Sequence, residues 1–189
     1  MKLNRGDKIK VKNPDLMTNL REGNISLILD FYDDIFSDFD PRDYSEKSLS
    51  DDFLAECKKA AIDKKNKLEL RLLVPKQKRN LIEEVLIKKR LREHFHKHFK
   101  EEKTELNKIK LFGLLWFLLG TLVIIGGTFL YPYRENNFFY TLVFIISEPA
   151  SWFFFWEGLY KIFIISKKSL PYYNFYRKMS NSEIHFIDY

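Results

Sequence analysis

Leu111 to Tyr131 is a run of 21 residues without a single charge. At 1.5 Å rise per residue, a helix of that length covers roughly 30 Å, the thickness of a bilayer's hydrocarbon core. A buried core helix of a soluble domain is the competing reading, but a run of 18 or more uncharged apolar residues favours a span. Phe138 to Ser166 is a second apolar run, longer and less clean because it holds Glu148, Pro149, Glu157 and Lys161. A re-entrant segment competes there; a full span is preferred because the run extends 29 residues before Lys167 and Lys168.

The slightly negative mean hydropathy would suit a soluble protein, but it averages two unlike parts. Residues 1–110 are rich in Lys, Glu and Asp, whereas 111–166 are apolar and aromatic. The net charge is +6. Much of the excess flanks the apolar runs: Arg90, Arg92, Lys97, Lys100, Lys103, Lys108 and Lys110 come before the first, and Lys167, Lys168, Arg177 and Lys178 after the second. That placement points to an anionic membrane surface rather than to nucleic acid, which is not an expected partner. Between the runs lies only YPYRENN. The positive-inside rule then puts both termini in the cytoplasm and the turn outside, with Tyr131, Tyr133 and Tyr140 at the outer interface. Cys57 is the sole cysteine, so no disulfide can form within the chain, in keeping with a reducing compartment. The opening MKLNRGDKIKVKNPDL has positive charge but no apolar core behind it, and is not read as a cleavable signal.

Several residues in the spans invite a role. Gly113, Gly120 and Gly127 recur every seven positions, with Gly126 beside the last, and predict a close-packing seam of unknown partner. Glu148 stands about ten residues, or roughly 15 Å, into the second span, where a carboxyl must be neutral, paired or facing water. Ser147-Glu148-Pro149 also reads as a helix start, predicting a kink or a break into two half-helices. Glu148 is expected either to line a polar path or to donate to a carbonyl freed by Pro149. Glu157 and Lys161 have the i, i+4 spacing of a helix ion pair. Trp152 and Trp156 share a face and are expected to pack.

Outside the spans, Asn24 onward fits either a helix through Ile25, Ile28, Leu29, Tyr32, Ile35 and Phe36, or a strand over Ile25, Leu27 and Leu29 running into a short acidic helix. Ser50 followed by DDFLAECKKAAI predicts a capped helix. Leu68, Leu70, Leu72 and Val74, ended by Pro75, read as a strand. From Arg79 a helical pattern runs without Gly or Pro to Lys110 and on into the first span. EIHFIDY, with Ile184 and Phe186 alternating, could supply a returning strand. The expected organisation is a cytoplasmic α/β part at 1–78, a basic membrane-proximal helix at 79–110 and a first transmembrane helix at 111–131. An external turn at 132–137, a second transmembrane helix at 138–166 and a cytoplasmic tail at 167–189 follow. The fold class is thus a membrane α-helical hairpin plus a small α/β cytoplasmic domain. The stretch DFDPRDYSEKSLSDDF, the strand LELRLLVP, the W-x-x-x-W and the tail YRKMSNSEIHF resemble a group of small bacterial two-span membrane proteins with a soluble N-terminal part. The resemblance implies this architecture in a bacterial inner membrane and no chemistry.

His94 and His98 stand one turn apart, as helical metal ligands can, with His96, Glu101 and Glu102 nearby. Arg90, Arg92, Lys97 and Lys100 would repel a cation, so no metal and no cofactor are expected. Arg92 and His98 also match the loose Arg-x(4–6)-His pattern of HEPN-type ribonucleases, a pairing that could bind phosphate and move protons. DFYDDIFSDFD lacks the central Gly and the spacing of a calcium loop. Phosphate loops, dinucleotide fingerprints, nucleophile elbows and cysteine metal motifs are absent. The expected function is a non-enzymatic membrane scaffold that associates with itself or with a cytoplasmic protein. An oligomeric channel with Glu148 in its path and a membrane-tethered nuclease are the alternatives.

Overall fold

The computed structural model describes residues 25–62, 64 and 68–189, with backbone alone at 134–136. The signal-peptide reading of the N-terminal stretch lies outside the described residues. The chain divides into two compact units, one of residues up to 97 together with 175–189, the other of residues 98–174.

The first unit is built on a three-stranded sheet, β1 (Ile25–Ile28), β2 (Glu69–Val74) and β3 (Glu183–Asp188), in spatial order β1-β2-β3 with both pairings parallel. Of the two readings of Asn24 onward, the strand holds. It passes through Leu29 into a single 3-10 turn, Tyr32–Ile35. Alternation decides which face is covered. Ile25 and Leu27 of β1 stand beside Leu70 and Leu72 of β2, which stand beside Ile184 and Phe186 of β3. Helix α1 (Asp51–Ile62) contributes Phe53, Cys57 and Ala61, four apart, to that core. Two further stripes join it: Ile87, Leu91 and Phe95, again four apart, and Phe175 with Met179. The opposite face carries Glu69 paired with Arg71 at 2.8 Å and Glu183 with His185 at 3.5 Å.

Helix α2 runs unbroken from Leu81 to Leu130, 50 residues. Asn80 starts it, its side-chain oxygen accepting from the Ile82 amide at 3.1 Å. The expected passage of a charged helix into the first apolar run is therefore present. A 3-10 turn, Tyr131–Asn136, leads to helix α3 (Phe138–Tyr160), capped by the Asn137 side chain on the Phe139 amide at 2.9 Å. A π-helical turn, Lys161–Ile165, joins α3 to α4 (Ser166–Ser180).

Of the kink or break expected at Pro149, the break is not made, for α3 continues through it. The tail expected at 167–189 begins as helix, with Pro171 tolerated inside α4. The one irregularity of the second apolar helix is the π turn, where the Ser166 amide bonds the Lys161 carbonyl five residues back. The tail does return as a strand, β3.

Candidate functional site: a groove beside Glu148 in an apolar hairpin

Residues 98–174 fold as a helical hairpin, and two helices in it and beyond it are long and apolar enough to cross a membrane. In their most apolar stretches only 11% and 6% of residues are buried. That is the reverse of a soluble core helix, and large side chains such as Leu122, Phe129, Ile146 and Phe153 point outward.

What is buried between the helices is small. Gly113, Gly120 and Gly127 are all buried, whereas Gly126 is exposed. A Cβ on Gly120 would lie 2.7 Å from the Phe155 amide nitrogen and 2.9 Å from the Ser151 carbonyl oxygen. One on Gly113 would meet Ile162 at 2.8 Å, and one on Gly127 the Ser147 hydroxyl at 3.2 Å. A Cβ on Gly126 would meet nothing within 4 Å. The seam's partner is therefore the second apolar helix of the same chain. Of its answering residues, Ser151 and Gly158 were not singled out from the sequence, and Ser147 was read only as a helix start. Their spacings of four and seven are the signal that could have found them. Aromatic pairs flank the seam, Phe117 with Phe155 at 4.6 Å and Trp116 with Phe154 at 5.2 Å.

Glu148 is exposed on one flank of the hairpin and borders a groove of about 350 Å³ with Gly127, Thr128, Ser147, Ser151 and Trp152. The hydrogen bond expected from its carboxyl to a freed carbonyl is not formed, and no described side chain partners it. The three hydroxyls beside it donate instead to backbone carbonyls of their own helices: Ser147 to Phe144 at 2.8 Å, Ser151 to Glu148 at 2.7 Å and Thr128 to Ile124 at 3.0 Å. The oxygens that line the groove can thus accept but have no proton left to give. Glu157 and Lys161 form the expected ion pair, both half-buried, at the start of the π turn. Trp152 and Trp156 do not pack away; their indoles are 58% and 60% exposed.

The remaining candidates fall apart as sites. Arg92 is exposed, and its six-residue offset from His98 turns the two about 120° apart around the helix. His98 is held by Glu101 at 2.8 Å, and the His94 ring lies against Phe95 and Tyr176. Among the described residues no group of three His, Cys, Asp or Glu is arranged to hold a metal.

The acidic stretch lines an open cleft of about 500 Å³ at the carboxyl end of β1, with Asp30, Asp33, Asp34, Asp52 and Glu56 on its wall. Its acids serve the loop. Asp34 accepts from the Asp30 and Phe31 amides at 2.8 and 3.0 Å, and Asp33 pairs with Lys47 at 3.0 Å. Asp40 takes the Arg42 guanidinium at 2.7 Å and the Ser48 amide at 2.7 Å, which together hold its carboxyl far below the usual range. Behind the cleft is a buried network without local sequence signal. Tyr32 donates to Glu84 at 3.0 Å and accepts from the Asn80 amide at 2.9 Å, while Arg79 grips Glu84 with two bonds of 2.8 and 2.9 Å.

Comparison with protein-family models, with curated proteins and with solved structures finds no match for this chain.

Proposed function

We propose that this protein is a two-span integral membrane protein of a bacterial inner membrane, a non-enzymatic scaffold whose cytoplasmic α/β unit presents a binding surface to a protein partner. The observation that carries the reading is the outward-facing apolar surface of the hairpin, which only hydrocarbon or another apolar surface would cover. Connectivity supports the shared side of the termini. The chain leaves the sheet-bearing unit after Lys97 and rejoins it at Phe175, and β3 pairs with β2. A double crossing in between returns the chain to the side it left. The lysines and arginines that flank both runs favour the cytoplasm as that side.

Cysteine labelling tests both statements. Asn136→Cys should react with an impermeant reagent on intact cells, and Asn181→Cys only after lysis. The native Cys57 is a built-in blank, since burial pushes its thiol up to about 12. The reverse pattern overturns the orientation, and recovery of the protein in the soluble fraction overturns insertion.

A further inference from the structure

β1 is an outer strand of its sheet, and its free edge is unpaired among the described residues. The Leu29 amide donates to the Leu73 carbonyl at 2.8 Å. Backbone groups alternate in direction along a strand, so the odd residues of β1 bond β2, while Ser26 and Ile28 turn their amides and carbonyls the other way. The next outward amide, that of Asp30, is taken by the Asp34 carboxylate at 2.8 Å. Ser26 and Ile28 have no such partner among the described residues, and open backbone groups in a row are a template for one more strand. Beside this edge lies the acid-lined cleft, bordered by Leu27, Ile28 and Leu29 as well as by Asp52 and Glu56 of α1. We propose that residues 8–12 of this chain, KIKVK, add to the edge antiparallel to β1, with their lysines toward the acids. That stretch lies outside the described residues, so its sequence and the edge beside it carry the pairing, and neither depends on the membrane reading above.

Three observations select this segment as the occupant. Charge is the first. The cleft wall holds six acids and one lysine, Lys59, which pairs with Glu56, and Asp33 already has Lys47. Asp30, Asp38 and Asp52 form no ion pair among the described residues, and Lys8, Lys10 and Lys12 would answer them. Alternation is the second. In a strand the three lysines share one face and Ile9 and Val11 the other. Setting Ile9 opposite Ile28 brings Lys8 and Lys10 opposite Leu29 and Leu27, the residues that border the cleft, and lays Ile9 on the face where Ile28 stands 49% exposed. Reach is the third. Only residues 13–24 separate the segment from β1, with Pro14, Gly23 and Asn24 suited to the turn an antiparallel neighbour needs. A segment tethered this closely competes at an effective concentration on the order of millimolar, which a free peptide rarely matches.

The test uses the full-length chain in detergent at low protein concentration. Under mild oxidation, Ile9→Cys with Ile28→Cys should close a disulfide within one chain. Ile9→Cys with Ile62→Cys, 69% exposed at the end of α1, should not. Hydrogen exchange reads the pairing without added cysteines. The Ser26 and Ile28 amides should be protected in the parent. In a variant with Lys8→Glu, Lys10→Glu and Lys12→Glu they should exchange roughly tenfold faster, the size of three exposed ion pairs lost. The β2 amides should keep the parent's rates in that variant, which separates a lost strand from a lost fold. Ser26 and Ile28 amides in the parent that exchange as fast as an open loop's, equal disulfides at 28 and 62, or protection indifferent to the three lysines overturns the pairing. A disulfide that joins two chains instead of closing within one gives the edge to a second copy and overturns it too.

Discussion

Gly113 and Gly158 face one another across the hairpin so closely that neither could carry a side chain. A Cβ on Gly113 would lie 3.0 Å from the Gly158 carbonyl oxygen, and one on Gly158 would lie 2.7 Å from that of Gly113. The obstacles are backbone atoms, which cannot rotate aside. Two helices that meet at this distance gain dispersion contacts along the seam.

Substitution along the seam should therefore be sharply graded. Gly120→Leu and Gly158→Leu should each cost about 1–3 kcal/mol by forcing the helices apart. Gly126→Leu, which meets open space, should stay within about 0.5 kcal/mol. Thermal melts followed by circular dichroism in one detergent would rank the three. A Gly120→Leu protein that melts like the parent would show that the seam is no contact.

In the sheet-bearing unit the sensitive point is Glu84, 4% exposed and held by Arg79 and Tyr32. Arg79→Ala strands a buried carboxylate and should cost about 3 kcal/mol, the low end for a broken buried pair because Arg79 is itself a quarter exposed. Tyr32→Phe leaves the Asn80 amide without its acceptor and should cost about 1–2 kcal/mol. Hydrogen exchange at the β2 amides reads both. Unchanged exchange in Arg79→Ala would remove the network from the list of things that hold the unit together.

The same carboxyl sets a pH dependence. Burial pushes Glu84 up, and the bonds from Arg79 and Tyr32 outweigh burial, so it rests below the ordinary value of 4.5. A lowered folded-state value means that its contribution is complete above about 4.5 and is lost as pH falls through the folded value. Asp40, also lowered, adds to the same acid limb. Melting temperature should hold from neutral pH to about 5 and then fall, and Glu84→Gln should flatten the fall. A variant with the parent's acid profile would place the titration elsewhere.

How much of this was legible in the chain differs by level. The two apolar runs, the strand at Leu68–Val74 and the returning Ile184/Phe186 alternation read directly, because burial on one face leaves a period in the sequence. Pro149 pointed to a break that the helix does not make, since losing one backbone hydrogen bond need not end a helix whose remaining bonds are kept, and α3 carries on through it. Helix α4 was hidden by Pro171 and by Lys167 and Lys168, which look like the end of an element and are instead its exposed surface. The seam's partner, and the embrace of Glu84 by Tyr32 and Arg79, depend on residues far apart in the chain, and no local pattern encodes such a meeting.

The placing of the hairpin between two neighbouring strands also governs the order of assembly. Arg79 and Asp188 lie 3.5 Å apart in space and 109 residues apart along the chain. A ribosome makes β1, α1 and β2 early and β3 only after every helix of the hairpin. Until then β2 keeps one bare edge, a row of unpaired amides open to any passing strand. Closure of the sheet thus acts as a receipt for completed synthesis of the hairpin. A product cut short within the second apolar helix keeps that edge exposed, the kind of flaw that proteases and chaperones recognise.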